Sequence, residues 1–148
     1  MTIRYECSVA SRERGEDLFA TASNVRRWLL VEVTGPWGAD KVRDTALAPH
    51  APGRWLAGLA DAGVRLVAVR RSIRSQPGAA VRIAYADCVS RRTWVRSVDD
   101  LSEVAAATAR VPLEVTPDAA EGWDEVPGPV VLVCTNGRHD SCCATYGR

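Results

Sequence analysis

The sequence is short of several residue types, and each shortage argues against a class of function. It holds one Lys, two His, one Met and one Phe in 148 residues, so histidine-based metal sites have few candidate ligands. Arg carries nearly all the positive charge, and the formal net charge is only +1. Nothing in this balance requires a nucleic acid or a membrane surface as a partner. No apolar run approaches the roughly 18 residues of a membrane span.

Familiar catalytic motifs are also missing. We find no Gly-rich nucleotide loop, no zinc-protease helix and no assignable Ser-His-Asp set. The first residues, MTIRYECSVASRERGEDLF, are dense in charge and lack the apolar stretch of a signal peptide. We therefore expect a cytoplasmic protein with reduced thiols, in which clustered cysteines indicate metal or redox chemistry more often than structural disulfides.

Hydrophobic residues make up 47% of the chain, enough for a core, and their pattern predicts an α/β layered fold. Apolar runs predict strands over residues 28–34, 64–71, 81–88, 92–98 and 129–134. Pro52 and Gly63 bracket one predicted helix, and Asp99 or Asp100 caps a second that extends to residue 109. Because strands and helices alternate, we expect a mixed, partly parallel sheet.

A proline-containing stretch near the C-terminus predicts a division of the chain. Residues 111–128 include three prolines and indicate an extended linker with at most one short edge strand. We expect an N-terminal α/β domain over residues 1–111, a linker over 112–128, and the start of an incomplete C-terminal unit over 129–148. The arginine-rich stretch 70–78 is interpreted as a solvated loop, with a docking face for an acidic redox partner or nucleic acid as the alternative.

The cysteines concentrate at the end of the chain, in VVLVCTNGRHDSCCATYGR. Cys134 closes an apolar run that predicts a buried strand, and Cys142 and Cys143 follow a polar loop. Gly137 lets that loop turn back on itself, while Arg138 adds positive charge that favours thiolates. Thiolates bind iron-sulfur clusters, zinc or copper(I). Cys88, which ends another strand pattern, is expected to be packed in the core.

Four interpretations of this cysteine cluster compete. A tyrosine-phosphatase-like loop requires Arg six places after the Cys, but Asp140 stands there, which would repel phosphate. A structural zinc site needs four ligands in close pairs, and this spacing does not supply them. A dithiol-disulfide switch between Cys134 and either later cysteine remains open, as does an iron-sulfur cluster, which also needs four ligands.

The segment CTNGRHDSCCATYGR resembles the signature of the sucrase/ferredoxin-like family, in which a strand leads into a Cys-containing loop. TAS, RRWLLVE and GPWG further upstream resemble the start of actinobacterial members, so the resemblance spans about residues 7–148. It implies a thioredoxin-like fold and a [2Fe-2S] cluster held by two cysteines and two histidines. By this resemblance Cys134 and Cys143 are ligands, with Cys142 a third candidate, and Gly137, Arg138 and Asp140 line the cluster loop.

Family members continue with a His-x-x-x-His stretch, whereas here only His50 and His139 are present. We therefore expect a truncated chain whose [2Fe-2S] cluster is absent or incomplete when the chain is alone, although a homodimer could complete it with two cysteines from each copy. The first hypothesis is an electron-transfer protein that works with a redox partner protein. The alternatives are a thiol-disulfide enzyme, with Cys134 as nucleophile and Cys143 as resolving thiol, and an interaction domain without chemistry.

Overall fold

The computed structural model describes residues 7–17, 24–71, 75, 78–109, 122–136, 138, 143 and 145. Three α-helices, five β-strands and two short 3-10 helices lie within these residues. The α-helices are α1 (Cys7–Glu13), α2 (Gly53–Asp61) and α3 (Val104–Ala107). The strands are β1 (Arg27–Glu32), β2 (Val64–Val69), β3 (Val81–Asp87), β4 (Arg92–Val98) and β5 (Asp124–Val126). The 3-10 helices span Ala48–His50 and Leu101–Glu103.

The five strands form one mixed sheet in the order β2-β1-β3-β4-β5. β1 and β2 are parallel, because α2 carries the chain back to the starting end of the sheet between them. The β1–β3, β3–β4 and β4–β5 pairs are antiparallel. The predicted mixed α/β fold with a partly parallel sheet is therefore confirmed.

Side chains alternate between the two faces of the sheet, and the inner face carries the core. Leu29 and Val31 of β1 pair in register with Tyr85 and Ile83 of β3, and all four are buried. α2 covers this face with Trp55 and Leu59, which lie one helical turn apart. Burial of a large apolar side chain contributes about 1.5–3 kcal/mol, so this face holds the sheet and helix together.

The sequence predicts the limits of α2 correctly. Pro52 is its N-cap in an extended conformation, as expected for a residue whose ring cannot continue a helix backward. Gly63 follows the helix with a φ of +68°, the left-handed conformation that glycine adopts without a steric penalty. The chain can therefore leave α2 and enter β2 at once. Asp100 likewise caps the second predicted helical segment, since its side chain accepts from Ser102 N.

The prediction of a buried strand over residues 129–134 is wrong. Residues 129–136 form neither helix nor strand, and the apolar side chains Val130, Val131, Leu132 and Val133 are exposed. Val131 and Val133 are 79% and 64% exposed, whereas Val130 and Leu132 are about half exposed and line a cleft with the outer face of the sheet. We call residues 128–136 the C-terminal segment. It leaves the end of β5 and passes over the outer face instead of joining an edge.

The proposed linker falls only partly within the described residues. Residues 112–121 lie outside them, while β5, inside the remainder, pairs with β4 as the short edge strand that the sequence predicts. The division into two units stays a prediction. Within the described ranges, no helix combines the length and the apolar character that crossing a membrane requires.

Candidate functional site

A loop of defined conformation follows β1 at the carboxyl end of the parallel pair. Val33 N donates to Val69 O at 3.0 Å and extends the pairing by one residue, after which Gly35 turns the chain with a φ of +87°. The Trp37 indole Nε1 donates to Val33 O at 3.2 Å and folds the loop back on the strand. The Arg70 guanidinium lies 4.3 Å from the centre of the Trp37 ring and donates to Gly35 O. The carboxyl end of parallel strands is where open α/β sheets bind ligands.

Two aspartates fix the next turn of this loop. Asp40 Oδ1 accepts from Val42 N at 2.8 Å and from Arg43 N at 2.7 Å, and these backbone N–H groups hold the pKa of Asp40 below its usual value. Asp44 Oδ2 accepts from Asp40 N at 2.9 Å, and Gly38 N donates to Asp44 O at 3.0 Å. The loop is therefore held by its own hydrogen bonds before any ligand arrives.

Asn136 connects the C-terminal segment to this loop. Its Nδ2 donates to Gly38 O at 3.0 Å, across 98 residues of sequence, and its Oδ1 accepts from Arg138 N at 3.2 Å. The amide thus donates to the loop that follows β1 and accepts from the loop that contains the cysteines. The hydrogen bond places the residues that follow Cys134 beside the carboxyl end of β1.

The structure locates some of the predicted site residues. Cys134 is exposed and Cys143 is partly buried, and neither is in a disulfide. Arg138 is exposed. Cys142, Gly137 and Asp140 lie outside the described residues.

Cys88 is not in the core, which corrects the expectation for that residue. It is exposed in the turn between β3 and β4, where its N donates to Arg26 O at 2.8 Å beside the start of β1. Asp87 Oδ1 accepts from Val89 N at 2.8 Å and shapes the same turn. Cys88 therefore lies at the opposite end of β1 from Gly38 and is far from the loop that Asn136 anchors.

The described residues do not complete a metal site. Among them, no three His, Cys, Asp or Glu side chains come together in a group that could hold an ion. The thiols of Cys134 and Cys143 are of the donor type that iron-sulfur clusters use, but a cluster needs four ligands. Cys134 and Cys143 would supply two of these four.

A buried carboxylate stands at the end of β1, and the sequence did not identify it. Glu32 is 6% exposed, and its carboxylate pairs with Arg71 Nε at 2.9 Å and accepts a hydrogen bond from Ser75 Oγ. A buried charge needs such a partner, so this pair fixes the start of the arginine-rich stretch. Part of that stretch is therefore structural and is not wholly a solvated loop.

The role of Asn136 was also missed, because its partner Gly38 is remote in sequence. The available signals were weak: an amide in a turn-forming loop and a glycine in GPWG. Comparison with known proteins adds no further residues to the site. No protein-family model matches the chain, and no significant match was found among curated proteins or among solved structures.

Proposed function

We propose that this chain is a redox protein of the sucrase/ferredoxin-like type, with a thioredoxin-like arrangement around its sheet. In this proposal Cys134 and Cys143 supply the cysteine side of a [2Fe-2S] cluster, with Cys142 as a further candidate. The observation that carries the proposal is the hydrogen bond from Asn136 Nδ2 to Gly38 O. It supports the proposal because it brings the cysteine loop to the carboxyl end of the parallel strands, where α/β sheets bind ligands.

The chemistry of the surrounding groups agrees with an anionic centre. A [2Fe-2S] cluster with thiolate ligands carries negative charge and, when bound, transfers single electrons. Arg70, stacked on Trp37, presents a fixed guanidinium at the same edge, and Arg138 follows Asn136 in the cysteine loop. In this proposal the positive groups offset the negative charge of the thiolate ligands.

Two cysteines per chain leave two ligand positions to be filled. In this proposal a symmetric dimer fills them, with two cysteines from each copy. We propose a cytoplasmic redox partner protein as the electron donor or acceptor, with no role for nucleic acid.

Anaerobic reconstitution with Fe²⁺ and sulfide tests the proposal. We expect the purified chain to acquire visible absorption together with iron and acid-labile sulfide in equal amounts. Cys134→Ser and Cys143→Ser should each abolish this uptake. Cys88→Ser is the matched control, since Cys88 is also an exposed thiol but lies at the other end of β1. Equal cluster content in Cys134→Ser and Cys88→Ser would refute the assignment.

A thiol-disulfide enzyme is the second candidate, and the exposure of Cys134 favours it. In that reaction the Cys134 thiolate attacks a substrate disulfide, forms a mixed disulfide with it and releases one substrate thiol. Cys143 then attacks the mixed disulfide and releases the second substrate thiol. The products are a reduced substrate and a Cys134–Cys143 disulfide. Thiol titration before and after mild oxidation should then show a loss of two thiols per chain, with no loss in Cys143→Ser. Retention of all thiols would exclude this candidate.

A further inference from the structure

Three arginines line one cleft at the edge of the sheet. Arg71, Arg82 and Arg96 line this cleft of about 470 Å³, together with Ser97 and Asp124. We call it the arginine cleft. Of the residues assigned to the cysteine site, the three that the structure describes, Cys134, Arg138 and Cys143, do not line this cleft.

The sheet itself places two of these arginines. Arg82 of β3 pairs in register with Ser97 of β4, so the two side chains lie next to each other on the outer face. Arg96 of β4 lies opposite Ile83 of β3, and it follows Val95, the last β4 residue that pairs with β5. The sheet thus places Arg82 on its outer face and Arg96 at its edge, and both residues line the cleft.

The third arginine is held by a buried carboxylate. Arg71 uses Nε toward Glu32, at 2.9 Å, and Nη2 toward Ser75 Oγ, at 2.6 Å. Its Nη1 makes no hydrogen bond to any residue that the structure describes. Glu32 therefore orients Arg71, which lines the cleft and keeps Nη1 as a donor for a ligand.

Arg82 is the group with unused binding capacity. It is exposed, and within the described ranges it has neither a hydrogen bond nor an ion pair. Among the described lining residues, Asp124 supplies the one carboxylate, and the buried Glu32 pairs with Arg71. Arginine presents its N–H donors in a planar fork that matches the oxygens of phosphate and carboxylate groups.

We propose that the arginine cleft binds the oxyanion group, phosphate or carboxylate, of a small molecule. Arg82 is the principal contact, Arg71 is an oriented second donor, and the Ser97 hydroxyl is a third. A small ligand matches the cleft volume of about 470 Å³. This site does not depend on the cysteines or on a cluster.

Calorimetric titration of the folded chain at 0.15 M NaCl tests this site, with inorganic phosphate, pyrophosphate and citrate as separate probes. We expect saturable binding of one ion per chain for at least one probe. The phosphate and citrate arms then distinguish a phosphoryl ligand from a carboxylate ligand. Arg82→Gln should weaken binding at least about tenfold, since it removes charge-assisted hydrogen bonds from an exposed position that the fold does not need.

Arg65→Gln is the matched control for charge. Arg65 is exposed on β2, where its guanidinium lies 5.5 Å from the centre of the Trp28 ring and outside the cleft. We expect this variant to bind the probe within about twofold of the parent chain. Equal weakening by both substitutions would show general attraction to positive charge and would overturn the proposal. So would the absence of saturable binding with all three probes, or binding restricted to RNA or to an acidic polypeptide.

Discussion

The buried hydrogen bond between Trp55 and Thr108 offers a quantitative test of how the helices close the inner face of the sheet. Trp55 Nε1, on α2, donates to Thr108 Oγ1 at 3.0 Å, and that hydroxyl donates to Val104 O at 2.8 Å. Thr108 is fully buried and Trp55 is 8% exposed. The bond therefore joins α2 to the end of α3 in a place that water does not reach.

Thr108→Val keeps the shape of the side chain and removes the hydroxyl. The Val104 carbonyl keeps its backbone donor, Thr108 N at 3.1 Å, so the unsatisfied group is the indole N–H of Trp55. Leaving a buried donor unpaired costs about 1–3 kcal/mol, and the added methyl group recovers about 0.8 kcal/mol. We expect the free energy of unfolding to fall by about 1–2 kcal/mol.

Urea unfolding gives the measurement, with the slope of the transition as a check that the unfolded state has not changed. A double-mutant cycle with Trp55→Phe isolates the hydrogen bond, because Phe removes the indole N–H. The expected coupling energy is about 0.5–1.5 kcal/mol, so Thr108→Val should cost less in the Phe background. Additivity of the two substitutions within about 0.3 kcal/mol would refute the reasoning.

Two further predictions concern the loop after β1 and the cap of the second helical segment. Gly38→Ala should destabilise the protein by about 1–3 kcal/mol in urea unfolding, because its Cβ would lie 2.7 Å from Asp44 Cγ, whereas Gly53→Ala, with open space around Cβ, should be neutral or slightly stabilising. Equal effects of the two would contradict the geometry. The pKa of Asp100 is lowered by the backbone N–H it caps, so its contribution to stability is present above about pH 4 and is lost as the pH falls through its folded-state pKa. In Asp100→Asn, the free energy of unfolding should therefore fall less steeply as the pH is lowered. The same fall in the variant and in the parent chain would exclude Asp100 as its source.

Local patterns predicted the elements whose partners are close in sequence. β3 and β4 are joined by a short turn, and the strands predicted over residues 81–88 and 92–98 agree with their observed ranges. The limits of α2 follow from Pro52 and Gly63, whose backbone preferences act without help from the rest of the fold.

The C-terminal segment shows why an apolar run does not by itself make a strand. Leu29–Val33 and Val130–Val133 have similar composition, yet the first is buried between β2 and β3 and the second is exposed. A run becomes a buried strand only where neighbouring strands offer it hydrogen bonds and a covered face. β5 already occupies the edge of β4 over part of its length, and the segment passes across the outer face.

The candidate site was predicted only in part, because several of its contacts join residues that are distant in sequence. Three cysteines close together in the sequence identify the cysteine loop without any structure. The Asn136–Gly38 hydrogen bond, the Arg70–Trp37 stack and the Glu32–Arg71 pair join residues that are far apart in sequence. Only the folded sheet brings them together, so residue type and spacing could not reveal them.

The most direct test of the central claim is the mass of the species that carries the cluster. A chain that supplies only two cysteine ligands should hold [2Fe-2S] between two copies, so the visible absorption of the reconstituted protein should sediment at the mass of two chains. The cluster-free protein should sediment as one chain under the same conditions. Visible absorption at the mass of a single chain, or a folded protein that retains no iron, would contradict the account.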